Sequence, residues 1–200
     1  MNTNLFIGCD PDLHTMPIAW VDSSLACVRI DMIRNKTGGA LEMTQALKRS
    51  SMWGGYDAFA VEAQEIYPSG PNRTKRPDDI LHLGQVAGAA VCYLSDPDPA
   101  STSVGYFPLP CQWKGQLDKQ AHHRRILTAA GIEEELWVYM GGPSGKYIAI
   151  SKDAGISGQT DMNLGDYKHV VDAIGLAQYA ATRYRDEKLK AKFLKETRHV

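Results

Sequence analysis

The 200-residue chain is 44% hydrophobic and 22% charged, an ordinary globular mixture long enough for one well-buried core. Its 22 Lys and Arg against 23 Asp and Glu leave a formal net charge of −1, so any phosphate-binding surface must come from local clusters and not from a global basic excess. No run is long enough to span a bilayer, and Met1-Asn2-Thr3-Asn4 lacks the basic-then-apolar pattern of a secretory signal. A cytoplasmic protein without a membrane partner is expected, with Cys9, Cys27, Cys92 and Cys111 as reduced, buried thiols.

Leu5-Phe6-Ile7-Gly8-Cys9 is an apolar run ending at Asp10 and reads as a buried strand. Ile18 to Val21 and Leu25 to Ile33 read as two more, set off by the turn formers Pro11-Asp12 and Asp22-Ser23-Ser24. Connections this short predict an antiparallel meander. Gly38 to Ser51 has helical spacing at Leu41, Ala46 and Leu47, and Tyr56 to Val61 predicts a fourth strand between Gly54-Gly55 and Glu62. Pro77-Asp78-Asp79 suits the first turn of a helix. Its apolar face runs Ile80, Leu83, Ala87, Ala90, Val91 and Leu94, and Gly84 and Gly88 would let a neighbour lie close. Ser103 to Leu109 predicts a fifth strand, followed by a helix from about Leu117 to Ala130 stopped at Gly131. Residues 135–160 read as a hairpin or irregular insertion, in which Trp137-Val138-Tyr139 and Tyr147 to Ile150 flank a glycine-rich turn. A long helix runs from about Tyr167 towards the end. This order describes a mixed α/β sheet flanked by helices, in one domain over residues 1–200.

Basic residues gather in three places: Arg73-Thr74-Lys75-Arg76, Lys119 to Arg125, and residues 183–200. Arg183 to His199 holds seven Lys or Arg against three Asp or Glu, a net of +4. Each cluster fits either a phosphate-facing surface or a solvated face.

Three acids stand where chemistry would want them. Asp10 ends the first strand and Glu62 the fourth; if these strands are parallel neighbours, both acids emerge at one carboxyl edge. Asp172 lies on the final helix, with His169 three residues before it on the same face. Gathered carboxylates repel one another and are costly to desolvate, which bound Mg²⁺ would offset. Two such ions roughly 4 Å apart serve phosphodiester hydrolysis. Taken singly, each acid also fits a turn or helix cap, and His169-Asp172 a surface pair. His122-His123 reads as a DNA contact or a solvent-facing pair, since adjacent helical residues point apart. Trp20, Trp53 and Trp137 read as packing, and Trp113 divides evenly between packing and base stacking.

Ile7-Gly8-Cys9-Asp10-Pro11 resembles the opening strand of the RuvC Holliday-junction resolvases, and Phe59-Ala60-Val61-Glu62 resembles that family's second acidic strand. Leu81 to Ala90, with its Leu83-Gly84-Gln85-x-x-Gly88 core, is similar to the helix that follows. His169-Val170-Val171-Asp172-Ala173 is similar to the last motif. The four occur in the family's order across roughly residues 4 to 180.

The resemblance implies a ribonuclease H-like mixed five-stranded sheet with an insertion (135–160) before the last helix and a basic C-terminal helical extension (183–200). It further implies a homodimer that nicks paired strands of a four-way or otherwise branched DNA with Mg²⁺ or Mn²⁺, two ions per site. Asp10, Glu62, His169 and Asp172 would be the catalytic and metal-binding residues. Lys114 and Lys119 would meet the scissile region, Tyr67 would be the junction-opening aromatic, and Arg73, Lys75 and Arg76 would contact DNA. Asp12 departs from the family's glycine at that turn, and the insertion and tail fit a viral or otherwise divergent member, acting in a host cytoplasm if viral. A broader fork or flap nuclease is the near alternative, and a non-catalytic DNA-binding protein on the same fold is another. An actin-like phosphotransferase is disfavoured because Pro11-Asp12-Leu13-His14 offers no glycine-rich phosphate loop.

Overall fold

The computed structural model describes residues 4–50, 55–64, 77–95, 103–115, 117–132, 137–140, 147–150, 155–158, 161–163 and 165–197. In chain order the elements are β1 (Leu5–Cys9), β2 (Thr15–Asp22), β3 (Cys27–Arg34), α1 (Ala40–Arg49), β4 (Ala58–Val61), α2 (Pro77–Ser95) and β5 (Val104–Tyr106). There follow α3 (Pro110–Lys114), α4 (Lys119–Ala129), β6 (Trp137–Met140), β7 (Tyr147–Ile150), β8 (Ser157–Gly158), β9 (Asp161–Asn163) and α5 (Asp166–Thr197).

The main sheet has the order β5-β4-β1-β2-β3-β8. The first three strands form the antiparallel meander their short turns require, while β4 lies parallel to β1 and β5 parallel to β4. Two parallel strands added beyond the first strand of a meander, with helices as the crossovers, make the ribonuclease H-like arrangement. The sheet has six strands where five are predicted, because the two-residue β8 pairs in parallel with β3. A Ser-Gly pair has no hydrophobic period to announce it. The fifth strand is also shorter than its apolar stretch suggests. It stops at Tyr106, and Pro110 opens the five-residue α3, since proline suits a first helical turn. Within the predicted insertion, β6 and β7 pair as a hairpin, one of the two forms expected there, and β9, just beyond it, extends the hairpin into a second sheet of three strands.

Strand alternation divides the core in two. Ile7, Cys9, Ile18, Trp20, Phe59 and Val61 face α1 and α2, where they pack with Met43, Leu47, Val86, Ala90 and Leu94. Phe6, Ala19, Val21, Ala58 and Ala60 face the other way and pack with Val170, Val171, Ala173, Ile174 and Ala177 of α5. The second face is the one with small residues, and small residues let a helix approach the strands closely. Trp20 is core, as its packing assignment requires, whereas Trp53 and the Trp137 side chain lie outside the described residues. All four cysteines are free, but only Cys9 and Cys27 are buried. Cys92 sits on the outer side of α2 and Cys111 on the exposed start of α3. Among the described residues nothing lies within 4 Å of where a Cβ would stand at Gly84 or Gly88, so the close neighbour expected at that face is not seen among them. No helix among the described residues is long and apolar enough to cross a membrane.

Candidate active site

Gly8 pairs with Ala60 and Cys9 with Val61 across the parallel β1–β4 ladder. By alternation Phe6, Gly8 and Asp10 share one face, as do Ala58, Ala60 and Glu62. The ladder continues one step beyond the strands, where the Glu62 amide donates to the Cys9 carbonyl at 3.2 Å. The two acids therefore leave the sheet side by side at its carboxyl edge, 4% and 8% exposed respectively. Helix α5 crosses that face and supplies Asp172, 5% exposed. Gly8 makes this crossing possible. A Cβ there would stand 2.0 Å from the Ala173 carbonyl oxygen and 2.3 Å from the Ala177 nitrogen, so helix backbone rests directly on strand backbone.

Four further side chains tie the acids together. His169 Nδ1 lies 2.8 Å from Asp10 Oδ2. The Lys114 ammonium sits between two acids, 2.9 Å from Glu62 Oε1 and 3.2 Å from Asp172 Oδ2. Trp113, the residue before it on α3, donates its indole N–H to the same Glu62 oxygen at 3.0 Å. From α4, His123 Nε2 reaches Asp172 Oδ1 at 3.1 Å. An ionised carboxylate only accepts, so both histidine nitrogens are the donors in these pairs.

Burial and repulsion divide the acids. Burial pushes the Glu62 carboxyl up to about 7, with the Asp10 charge adding to it and Lys114 opposing. Asp10 is likewise raised, first by burial, against the pull of His169. For Asp172 burial acts upward, yet the hydrogen bond from His123 and the charges of Lys114 and Lys119 outweigh it and hold the group below its ordinary value. The Lys114 ammonium is desolvated, but Glu62 and Asp172 more than compensate and raise it. The bond to Asp10 raises His169 against the effect of burial. The result is a buried cluster of acids and bases with perturbed proton affinities, the setting in which shifted carboxylates mark functional sites.

Among the described residues no group of three or more His, Cys, Asp or Glu is arranged to enclose a metal ion. The acids do not form a closed, all-protein cage there. Magnesium does not need such a cage, because it binds through one or two carboxylates and completes its shell with water and phosphate oxygens. The raised Glu62 and Asp10 carboxyls fit such a cation, because a nearby positive charge lowers the cost of ionising both.

The remaining sequence expectations divide. Lys114 is at the centre of the site, and Lys119 is exposed at the start of α4 with its charge acting on Asp172. Tyr67, Arg73, Lys75 and Arg76 lie outside the described residues. Asp12 closes the turn after β1, its Oδ1 accepting from the amides of His14 and Thr15 at 2.8 and 3.1 Å. His122 and His123 do not face solvent or DNA: they are 2% and 8% exposed. Successive helical residues do diverge, but α4 lies in a corner, so His122 meets Trp113 of α3 while His123 meets Asp172 and Tyr167 of α5. Burial, followed by the Arg125 charge, lowers His122 to about 4 and keeps it neutral. Trp113 is buried and hydrogen-bonded, so it is no stacking platform. The His123–Asp172 contact joins residues from different helices, and no spacing in the chain signals it. The only hint for Trp113 is its place beside Lys114.

No protein-family model matches the chain, and no curated protein matches it in sequence. Solved structures similar to the chain include two of one protein. One is Thermus thermophilus RuvC in complex with Holliday junction substrate, at 14% identity and a TM-score of 0.48, covering 86% of this chain and 90% of that one. The other is the Thermus thermophilus RuvC structure, at 15% identity and the same TM-score and coverage.

Proposed function

We propose that the protein is a divalent-metal-dependent, structure-selective DNA endonuclease that resolves four-way junctions by paired nicks, acting as a homodimer. The observation that carries the chemistry is the gathering of Asp10, Glu62 and Asp172 around Lys114 at one edge of the sheet. The choice of branched DNA rests on the four ordered sequence motifs, and the dimer follows from the pairing of nicks.

In this reading Asp10, Glu62 and Asp172 hold Mg²⁺ or Mn²⁺, two ions per site. Bound divalent cations supply Lewis-acid charge and lower the pKa of a water for in-line attack on a phosphodiester. Lys114 neutralises charge that builds on the scissile phosphate, having its ammonium already placed within the acid cluster. With Nδ1 committed to Asp10, His169 keeps Nε2 to accept a proton or ligate a metal. Lys119, whose charge acts on Asp172, meets the scissile region, and the basic end of α5 contacts phosphates outside the reacting centre.

The test is cleavage of a synthetic four-way junction, a fork, a flap and linear duplex by the full chain with Mg²⁺ or Mn²⁺. Paired nicks in the junction, leaving 5′-phosphate ends, with little action on duplex are expected. Equal cutting of fork and flap would widen the substrate class, and four intact substrates after long incubation would overturn the nuclease reading.

A further inference from the structure

We propose that Trp113 and His123 are positioning residues which fix the Glu62 and Asp172 carboxylates for metal, although neither contacts the metal itself. The inference rests on the nuclease reading above and deepens it.

Two donors, the Trp113 indole and the Lys114 ammonium, fall on the same oxygen of Glu62, at 3.0 and 2.9 Å. Donors concentrated on Oε1 set the plane of the carboxylate and leave Oε2 as the oxygen that a cation would take. The indole is itself held from three sides. Its ring meets His122 edge-on at 5.1 Å, the Lys114 ammonium lies 4.7 Å over it, and Gly175 makes room for it on α5. A Cβ at Gly175 would come within 2.6 Å of the Trp113 ring and 2.5 Å of Ile126. A ring held this way has one position, so its N–H has one direction. Glu62 follows β4 directly and would otherwise rotate about its own side-chain bonds.

The second half of the clamp comes from α4. Its N-cap Asp118 accepts from the Gln120 and Ala121 amides, which anchors the first turn. The inward face then presents His123 to Asp172 Oδ1 at 3.1 Å, with the imidazole packed edge-on to Tyr167 at 6.3 Å. Asp172 thus has one oxygen on His123 and the other on Lys114. Helices α3 and α4 form a bracket whose two ring donors hold one carboxylate from the sheet and one from α5. Groups behind the ligands orient them, and their removal costs roughly 10–100-fold in metal affinity.

The experiment is calorimetric titration of Mn²⁺ into the full chain for the parent protein, Trp113→Phe, His123→Ala and His123→Gln. Trp113→Phe keeps the ring and deletes the donor, while His123→Gln keeps a side-chain N–H. About 10-fold or greater weakening is expected in Trp113→Phe and His123→Ala, with recovery towards the parent affinity in His123→Gln. A matching rise in the Mg²⁺ concentration for half-maximal junction nicking should accompany it. Thermal unfolding of each variant checks the fold; if Trp113→Phe is unstable, the His123 pair decides. Parent-like Mn²⁺ affinity in folded Trp113→Phe and His123→Ala would overturn the clamp while leaving the nuclease reading intact. A parent protein that neither binds Mn²⁺ nor nicks the junction would overturn both.

Discussion

At the residue scale, charge burial decides what each acid does. Asp10 accepts from His169 and sits against Glu62, whose carboxyl is pushed up to about 7. Asp10→Asn keeps an oxygen for His169 and removes the negative charge. Nicking should fall by about 10³-fold or more, while junction affinity and the fold are retained. Parental cleavage rates in a junction assay would remove Asp10 from the reacting centre. The same charges give a pH dependence. The folded Glu62 binds its proton more tightly than the unfolded chain, whose value is near 4.5, so stability must fall as pH rises from about 4.5 to about 7. Asp10 is raised and acts in the same direction, starting from its ordinary 3.8. His169, also raised, gives stability that is present below its ordinary 6.5 and lost as pH climbs through its folded value. Asp172 is lowered, so its opposing contribution varies only below about 3.8. The melting temperature of chelator-treated protein should therefore drop from pH 5 to pH 8, with a flatter profile in Glu62→Gln. A Glu62→Gln profile superimposable on the parent's would show that Glu62 does not carry the effect.

At the scale of elements, the site depends on how closely α5 lies on β1. Gly8→Ala directs a methyl into helix backbone at Ala173 and Ala177, which cannot rotate away. Overpacking of this sort costs about 1–3 kcal/mol or more, and the displaced helix carries Asp172 with it. Gly175→Ala meets side-chain atoms of Ile126 and Trp113 instead, and Ile126 can yield. Denaturant unfolding should rank Gly8→Ala as the more damaging of the two, and the opposite order would remove backbone contact as the cause. Much of this architecture is legible in the chain. β1 and β4 announce themselves as apolar runs closed by an acid, and the short turns dictate the meander. β8 is not, because Ser157-Gly158 owes its place to pairing with β3 and not to its own composition. Nor is α3, hidden where Leu109-Pro110 resembles the end of a strand. The histidines of α4 escape sequence reasoning because their burial comes from two other helices, and a single helix's periodicity holds no record of its neighbours.

For the whole molecule, a formal charge of −1 conceals a strongly uneven distribution. The core packing of α5 extends to Tyr184, whose ring meets Phe6 of β1, and from Lys188 to Lys195 its residues are exposed. On the proposed nuclease reading, deleting residues 188–200 should leave the acid cluster folded, weaken junction binding and lower its salt dependence by about 0.9 in the log–log slope for each phosphate that the extension neutralises. An unchanged slope in binding titrations over a range of salt would make the extension a bystander.

Helix α5 runs unbroken from Asp166 to Thr197. At about 1.5 Å of rise per residue, Asp172 and Lys190 stand roughly 27 Å apart along one rod. A nucleic-acid strand gripped at the far end and lying along the rod would be held about eight base steps from the acid, taking roughly 3.4 Å per step. If the protein is the nuclease proposed above, the helix would then act as a gauge, fixing where on an arm a cut can fall before any base is read.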